Sequence, residues 1–208
     1  MEDVLEVYHR PRDKDAVVVC IDEICKQLTS DVTPPLPTRE GAPAKEDHEY
    51  VREGSASLFL AHAPLEGERH VYVSEAGTRK GVDYAEFLRQ ISDEWFPDSA
   101  RIILVEDNLN THTDASLYKS FAPEEAFRLA RRFERHRTPV HGSWLNIAES
   151  ELSVLARQCL SGRIHDVDEL RNEAEAWATL RNEAAVTTSW QFTTTKARIK
   201  LTSLYPII

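Results

Sequence analysis

The sequence RIILVEDN at residues 101–108 is an aliphatic run that ends in two acids and an amide. The run is too short for a helix, and its β-branched residues favour a strand that is buried on both faces. Open α/β sheets place their chemistry at the carboxyl ends of such strands, which makes Asp107 a candidate site residue. Asp and Asn also end strands in ordinary turns, so this stretch alone leaves turn and site as equal alternatives.

A second run with the same design, AVVVCIDE at residues 16–23, changes that balance. Two buried strands that each deliver a carboxylate at one end predict a paired-acid site made of Asp22 and Asp107. Neighbouring carboxylates repel each other and cost free energy unless a cation neutralises them. Mg²⁺ and Mn²⁺ prefer oxygen ligands, so a divalent metal of this kind is the simplest explanation for the pair.

The composition limits the class of protein. The chain has 208 residues, of which 41% are hydrophobic and 29% charged, as in a soluble single domain. A formal net charge of −10 argues against a tight nonspecific nucleic-acid binder, though it does not exclude a local basic groove. Basic clusters at 128–137 and 196–200 are more often solvated surface. Three cysteines without CxxC spacing argue against disulfides and zinc.

The order of predicted elements is that of an α/β protein. Strands are predicted at 16–22, 57–63, 69–74, 102–105 and 134–140. Helices are predicted at 80–96, 123–133 and 167–185, and a further helix is predicted to begin after Ser143 as its N-cap. Residues 29–57 are rich in Pro, lack any apolar period and are predicted to form an extended loop or arm outside the core. No run reaches membrane-spanning length and the N-terminus is acidic, so we expect a cytoplasmic protein without membrane contact.

A third acid would complete a metal site, and Glu149 is the best candidate. It lies four residues after Leu145 and three before Leu152, which predicts that it shares their core-facing side of the helix. Glu151 is predicted to point to solvent. The alternative for Glu149 is a boundary residue that reaches water, and this alternative would be favoured without Asp22 and Asp107.

Together these residues resemble the DDE triad of mariner-type transposases, most closely their bacterial insertion-sequence branch. The matching pieces are Asp22-Glu23, Asp107-Asn108 followed by His112, and HGSWLN at 141–146 followed by Glu149. The resemblance runs from about Ala16 to Pro206. It implies an RNase H-like fold, a five-stranded mixed sheet with helices on both faces, as one catalytic domain over residues 1–208.

The resemblance also implies a mechanism, namely two-metal phosphoryl transfer with two Mg²⁺ or Mn²⁺ ions. Asp22 would bridge both ions, and Asp107 and Glu149 would each hold one, so that DNA is cut at transposon ends and joined to target DNA. Groups that orient these ligands or touch phosphate would be Glu23, Asn108, His112, His141 and Asn146. For His112, a purely structural role is equally expected.

Other consequences concern partners and alternatives. Family members carry an N-terminal helix-turn-helix domain that the sequence does not show, so a split or truncated transposase is expected. The 29–57 segment would act as a clamp in a homodimer, or the chain would partner a separate DNA-binding subunit. The alternatives are another RNase H-like nuclease, which cuts without joining, and a fragment that regulates full-length enzyme. Trp177 and Trp190 are predicted to be core residues. For Trp144, both a core position and a role in stacking on a DNA base stay open.

Overall fold

A five-stranded mixed sheet forms the centre of the protein, which is described here from a computed structural model covering residues 1–45, 47–74, 80–140 and 142–205. The elements in chain order are α1 Glu2–Tyr8, β1 Ala16–Asp31, β2 Tyr50–Ala63, β3 Glu68–Ser74, α2 Gly81–Gln90, β4 Arg101–Glu106, α3 Asp114–Ser120, α4 Pro123–Arg132, β5 Phe133–Arg137, α5 Ile147–Gln158, α6 Val167–Glu183 and α7 Thr194–Lys200. A π-helical turn, Ile91–Trp95, extends α2, and a 3₁₀ turn, Ser143–Leu145, precedes α5.

The strand order is β3-β2-β1-β4-β5. The first three strands in the chain form an antiparallel meander, whereas β4 pairs parallel with both β1 and β5. The centre of the sheet is therefore the β1–β4 pair, which consists of the two aliphatic runs that the sequence singles out.

Alternate residues of these two strands face opposite layers of helices. Val17, Val19 and Ile21 pack with α2, α3 and α4 on one face. Val18 and Cys20 pack with α1, α7 and the beginning of α5 on the other, and α5 and α6 cover the β2–β3 side of that second face. Because both faces are buried, both strands consist of continuous aliphatic residues rather than alternating ones.

The predicted fold class is confirmed, and most predicted elements exist within a few residues of their expected bounds. The structure also contains three helices that the sequence analysis missed, α1, α3 and α7, each of seven residues. None of the helices in the described ranges is both long and apolar enough to cross a membrane.

The predicted extended loop or arm over 29–57 is an arm, but its two ends are regular strand and not the structureless chain that was expected. Strand β1 continues to Asp31 and β2 begins at Tyr50, so the two strands extend as a hairpin arm beyond the sheet. Residues 50–55 are exposed, and an exposed strand has no buried face to impose alternation. Irregular chain is confined to the tip of the arm, between 32 and 49, where Leu36 and Lys45 form an isolated bridge.

Candidate active site

Asp22 and Asp107 lie side by side where parallel pairing ends. The last parallel pair between β1 and β4 is Cys20 with Val105. Asp22 lies two residues after Cys20, and Asp107 lies two residues after Val105. The sequence analysis expected Asp22 to end its strand, but β1 continues past it to Asp31 as part of the hairpin arm. Asp107 does follow the end of its strand, and its Oδ1 accepts a hydrogen bond from Leu109 N at 3.0 Å.

The two acids lie at the same edge of the sheet. Side chains alternate along a strand, so Asp22 points to the same side as Val18 and Cys20, which is the side that α5 covers. Asp107 follows the end of β4, and its carboxylate is within electrostatic reach of Asp22 and 2.8 Å from His112 Nδ1. Glu23 and Glu106 point to the opposite side, toward α2 and the segment that contains His112.

Asn146 joins α5 to the end of β1. Its side-chain amide donates to the carbonyl oxygen of Ile21 at 2.8 Å, and its Oδ1 accepts from Ala148 N at 3.1 Å as the N-cap of the helix. The cap is therefore Asn146 and not Ser143, which instead begins a 3₁₀ turn. The first turn of α5, which contains Glu149, is thereby held beside Asp22.

Negative charge accumulates around Asp22. Burial, together with the charges of Glu23, Asp107 and Glu149, raises the pKa of this half-buried carboxyl to about 7, against a hydrogen bond from Glu23 N that lowers it. Three further carboxylates therefore lie within electrostatic reach of Asp22. An all-oxygen group of this charge suits a hard divalent cation.

On the opposite side, His112 lies between two carboxylates. Its Nδ1 is 2.8 Å from Asp107 Oδ1 and its Nε2 is 3.5 Å from Glu23 Oε2. Burial favours the neutral ring, but both carboxylates outweigh it and raise the pKa of His112 to about 9. The ring also stacks on Tyr84 at 4.5 Å between centroids. His112 thus fixes the orientation of Asp107 from behind.

A buried polar network that the sequence analysis missed supports this side. Glu106 is fully buried and accepts hydrogen bonds from Tyr84 Oη at 2.5 Å and from Arg135 Nη1 at 2.9 Å. Arg135 also pairs with Asp114 at 2.9 Å. The basic cluster at 128–137 is therefore not a uniformly solvated surface. The signal in the sequence was Glu106 itself, because a carboxylate in a buried strand needs a cationic partner.

The predicted orientations of Glu149 and Glu151 are reversed in the structure. Glu149 is exposed, whereas Glu151 is buried with 5% exposure. Glu151 Oε1 accepts from Arg69 Nε at 2.6 Å and from Arg181 Nε at 2.7 Å. The helix begins at Ile147, so its phase cannot be counted from Leu145, which belongs to the 3₁₀ turn. Glu149 therefore presents an open carboxylate, and Glu151 anchors the helix.

The other predicted site residues fall in three groups. Glu23, His112 and Asn146 are buried next to the two strand acids. Asn108 is exposed and donates to the carbonyl oxygen of Thr138, and His141 lies outside the described residues. Within the described part of the chain, no three His, Cys, Asp or Glu side chains already form a group able to hold a metal ion.

Comparison with known proteins identifies the family. The sequence model of the family described as DDE superfamily endonuclease matches residues 17–171, more than half of the 208-residue chain. The match includes both strand acids and the whole of α5. No curated protein sequence matches the chain.

Solved structures of the Mos1 mariner transposase share the fold. Its catalytic domain is 13% identical with a TM-score of 0.50, over 81% of this chain and 80% of that one. The strand transfer complex is 15% identical with a TM-score of 0.59, over 88% and 53%. The paired end complex with Mn is 14% identical with a TM-score of 0.53, over 81% and 50%. This chain spans about half the length of the Mos1 chains in those two complexes. By its sequence match, the chain belongs to the DDE superfamily endonuclease family.

Proposed function

We propose that the chain is the catalytic domain of a DDE transposase, of the bacterial insertion-sequence branch, that cuts DNA at the ends of an element and joins them to target DNA. The observation that carries the proposal is the group of carboxylates around Asp22, whose pKa is raised by burial and by the charges of Glu23, Asp107 and Glu149. Family membership, together with the similarity to the strand transfer complex and the paired end complex of Mos1, supports DNA as the substrate.

In this proposal Asp22, Asp107 and Glu149 hold two Mg²⁺ or Mn²⁺ ions. When bound, such ions activate the attacking oxygen and stabilise the leaving 3′ oxygen of the phosphodiester. Manganese in a Mos1 complex agrees with that choice of metal. The donor set also fits, since all three groups are carboxylates and Asp107 and Glu149 lie within electrostatic reach of Asp22.

The chain's own residues keep these acids in position. Asn146 holds the first turn of α5 to the carbonyl of Ile21, which sets the separation of Glu149 from Asp22. His112 forms an ion pair with Asp107, with 2.8 Å between its Nδ1 and Asp107 Oδ1. The exposure of Glu149 leaves its carboxylate open toward a substrate. Together these contacts allow Glu149 to approach a ligand without a rearrangement of the strands.

The proposed activity is tested with supercoiled plasmid and purified full chain. We expect nicked plasmid in the presence of Mn²⁺ or Mg²⁺ and none with a chelator, because the acids alone cannot activate the phosphodiester. A labelled duplex that ends in a free 3′ hydroxyl then tests strand transfer. Joining of that end to plasmid supports a transposase, and nicking without joining identifies another nuclease of the same fold. Absence of both overturns the proposal.

We further propose that the hairpin arm contacts a second copy of the chain. Four of its apolar side chains, Val32, Leu36, Tyr50 and Val51, are exposed at 44–56%. Exposed apolar residues grouped on one extension are typical of a protein interface. Leu36→Asp is expected to shift the chain from dimer to monomer in sedimentation velocity, whereas Leu180→Asp, at an equally exposed position on α6, leaves it unchanged. A monomeric wild-type chain would contradict this role of the arm.

A further inference from the structure

Trp144 is a large exposed aromatic residue close to the proposed active site. Its side chain is 44% exposed, two residues before Asn146, which bonds to the end of β1. Exposed tryptophans are uncommon in single chains because burial of the indole is strongly favourable. Trp144 is therefore not a core residue, in contrast to Trp177, which is only 7% exposed.

Backbone hydrogen bonds hold the turn that carries Trp144. Gly142 N donates to the carbonyl of Pro139 at 2.8 Å, and Leu145 N and Asn146 N donate to Gly142 and Ser143 at 3.0 and 2.7 Å. Any side chain at position 142 would meet Pro139, since a Cβ there would lie 2.5 Å from its Cγ. Trp144 is therefore presented by fixed backbone, and a ligand that binds it loses little entropy from ordering the turn.

Phe192 supports the indole from the side. The two rings meet edge to face, with centroids 5.8 Å apart and planes at 66°. Phe192 is itself partly buried against the core cluster below α1 and α7. This aromatic pair, Trp144 with Phe192, keeps the indole in one orientation while leaving part of its surface open.

The segment that contains Phe192 is the positive part of an acidic chain. Residues 184–208 include Lys196, Arg198 and Lys200 and no Asp or Glu, although the chain as a whole carries −10. Lys196 and Lys200 are exposed. The ammonium of Lys196 donates to the carbonyl of Gln191 at 2.9 Å, immediately before Phe192. A cation therefore lies beside the aromatic pair, where it can attract a phosphate.

We propose that the Trp144–Phe192 pair, with Lys196, binds an unpaired nucleotide of the DNA substrate. The base stacks on the indole and Lys196 neutralises its phosphate, which is the combination that single-strand sites use. Bases inside a duplex already stack on their neighbours, so only a terminal or extrahelical base offers a free face. The inference deepens the proposed function and rests on it for the choice of DNA.

Binding of a fluorescein-labelled single strand of about 12 nucleotides, measured by anisotropy with Ca²⁺ at low salt, tests the proposal on the full chain. Trp144→Ala is expected to weaken binding about tenfold, which is about 1.4 kcal/mol, and Trp144→Phe to retain most of it. The matched control is Phe127→Ala, which removes a 54% exposed aromatic residue from α4. Blunt duplex binding is expected to be equal in all variants.

A positional measurement distinguishes stacking from indirect effects. A single strand that contains 5-bromouracil is expected to crosslink on irradiation to the tryptic peptides 138–157 or 182–196, which contain Trp144 and Phe192. Equal single-strand affinity in Trp144→Ala and wild type, a crosslink confined to other peptides, or a wild type that does not bind single strands overturns the inference. Circular dichroism verifies that each variant is folded.

The outcomes separate this inference from the proposed function. If wild type nicks plasmid but Trp144→Ala binds single strands normally, the nuclease proposal stands and the nucleotide site is rejected. If Trp144→Ala loses single-strand binding although wild type never nicks, the site stands and the nuclease proposal is rejected. Self-association through this surface, which would appear as a smaller species for Trp144→Ala in sedimentation velocity, also counts against a nucleotide site.

Discussion

Replacing Glu149 by Gln is expected to abolish metal-dependent plasmid nicking, a loss of about 10³-fold or more, while the protein remains folded. Asp22→Asn and Asp107→Asn are expected to do the same. Each change removes one negative charge from the cluster that Asp22 forms with Asp107 and Glu149. Substitution of a residue that only orients a metal ligand typically lowers metal affinity or activity about 10–100-fold, so we expect loss of a ligand itself to lower activity further.

The measurement is the initial rate of nicking with Mn²⁺, with circular dichroism to verify the fold. Glu173→Gln is the matched control, because Glu173 is an exposed glutamate on α6 and the substitution is identical. Full activity in Glu149→Gln would remove the third acid from the proposed site. Full activity in Asp22→Asn would reject the proposed site as a whole.

Glu151→Gln is expected to have the opposite consequence, a loss of about 3 kcal/mol or more in the free energy of unfolding. Arg69 has 1% exposure, and its Nε donates to Glu151 Oε1 at 2.6 Å. Removing the carboxylate charge leaves the guanidinium buried with only the carbonyls of Gly67 and Val186 and a neutral amide. An uncompensated buried charge is among the most destabilising single changes.

Urea unfolding at neutral pH measures this loss, with Glu149→Gln as the control for the same substitution two residues earlier. The control is expected to change stability by less than about 0.5 kcal/mol, because Glu149 is exposed. A loss below about 1 kcal/mol in Glu151→Gln would show that the Arg69 pair does not stabilise the fold.

The pH dependence of that stability has a defined sign. Burial would raise the pKa of Glu151, but Arg69 and Arg181 outweigh it and leave the pKa lowered. A carboxyl whose pKa is lowered by folding stabilises the protein above its unfolded pKa, and this contribution is lost as the pH falls through the folded value. Glu151→Gln is therefore expected to flatten the acid limb of the stability curve.

Elements that are buried on both sides were the most predictable from sequence. The runs at 16–22 and 101–106 are continuous because both faces of β1 and β4 contact helices. By contrast, α1 has only seven residues, and its three buried apolar side chains lie among acids. A helix of this length is too short for its apolar period to be recognised in the sequence. The outer part of the hairpin arm has no buried face, so nothing in its sequence alternates.

The proximity of the first two candidate acids was predictable from the strands, whereas the orientation of the helix that carries the third was not. The parallel register of β1 and β4 brings Asp22 and Asp107 together. The orientation of α5 could not be read from Leu145, because a 3₁₀ turn intervenes. Buried partners such as Arg69 and Glu151 lie 82 residues apart, and no local pattern indicates such a pairing.

The bond from Asn146 to Ile21 has a consequence for folding kinetics. It links residues 125 positions apart, whereas the first two acids are brought together by the β1–β4 ladder alone. Contacts of long sequence separation close a large loop and generally form late. An intermediate with a complete sheet core but an undocked α5 would hold two carboxylates and not the third. If the three acids act as proposed, cleavage competence would be acquired only when α5 docks, and partially folded chains would leave DNA intact.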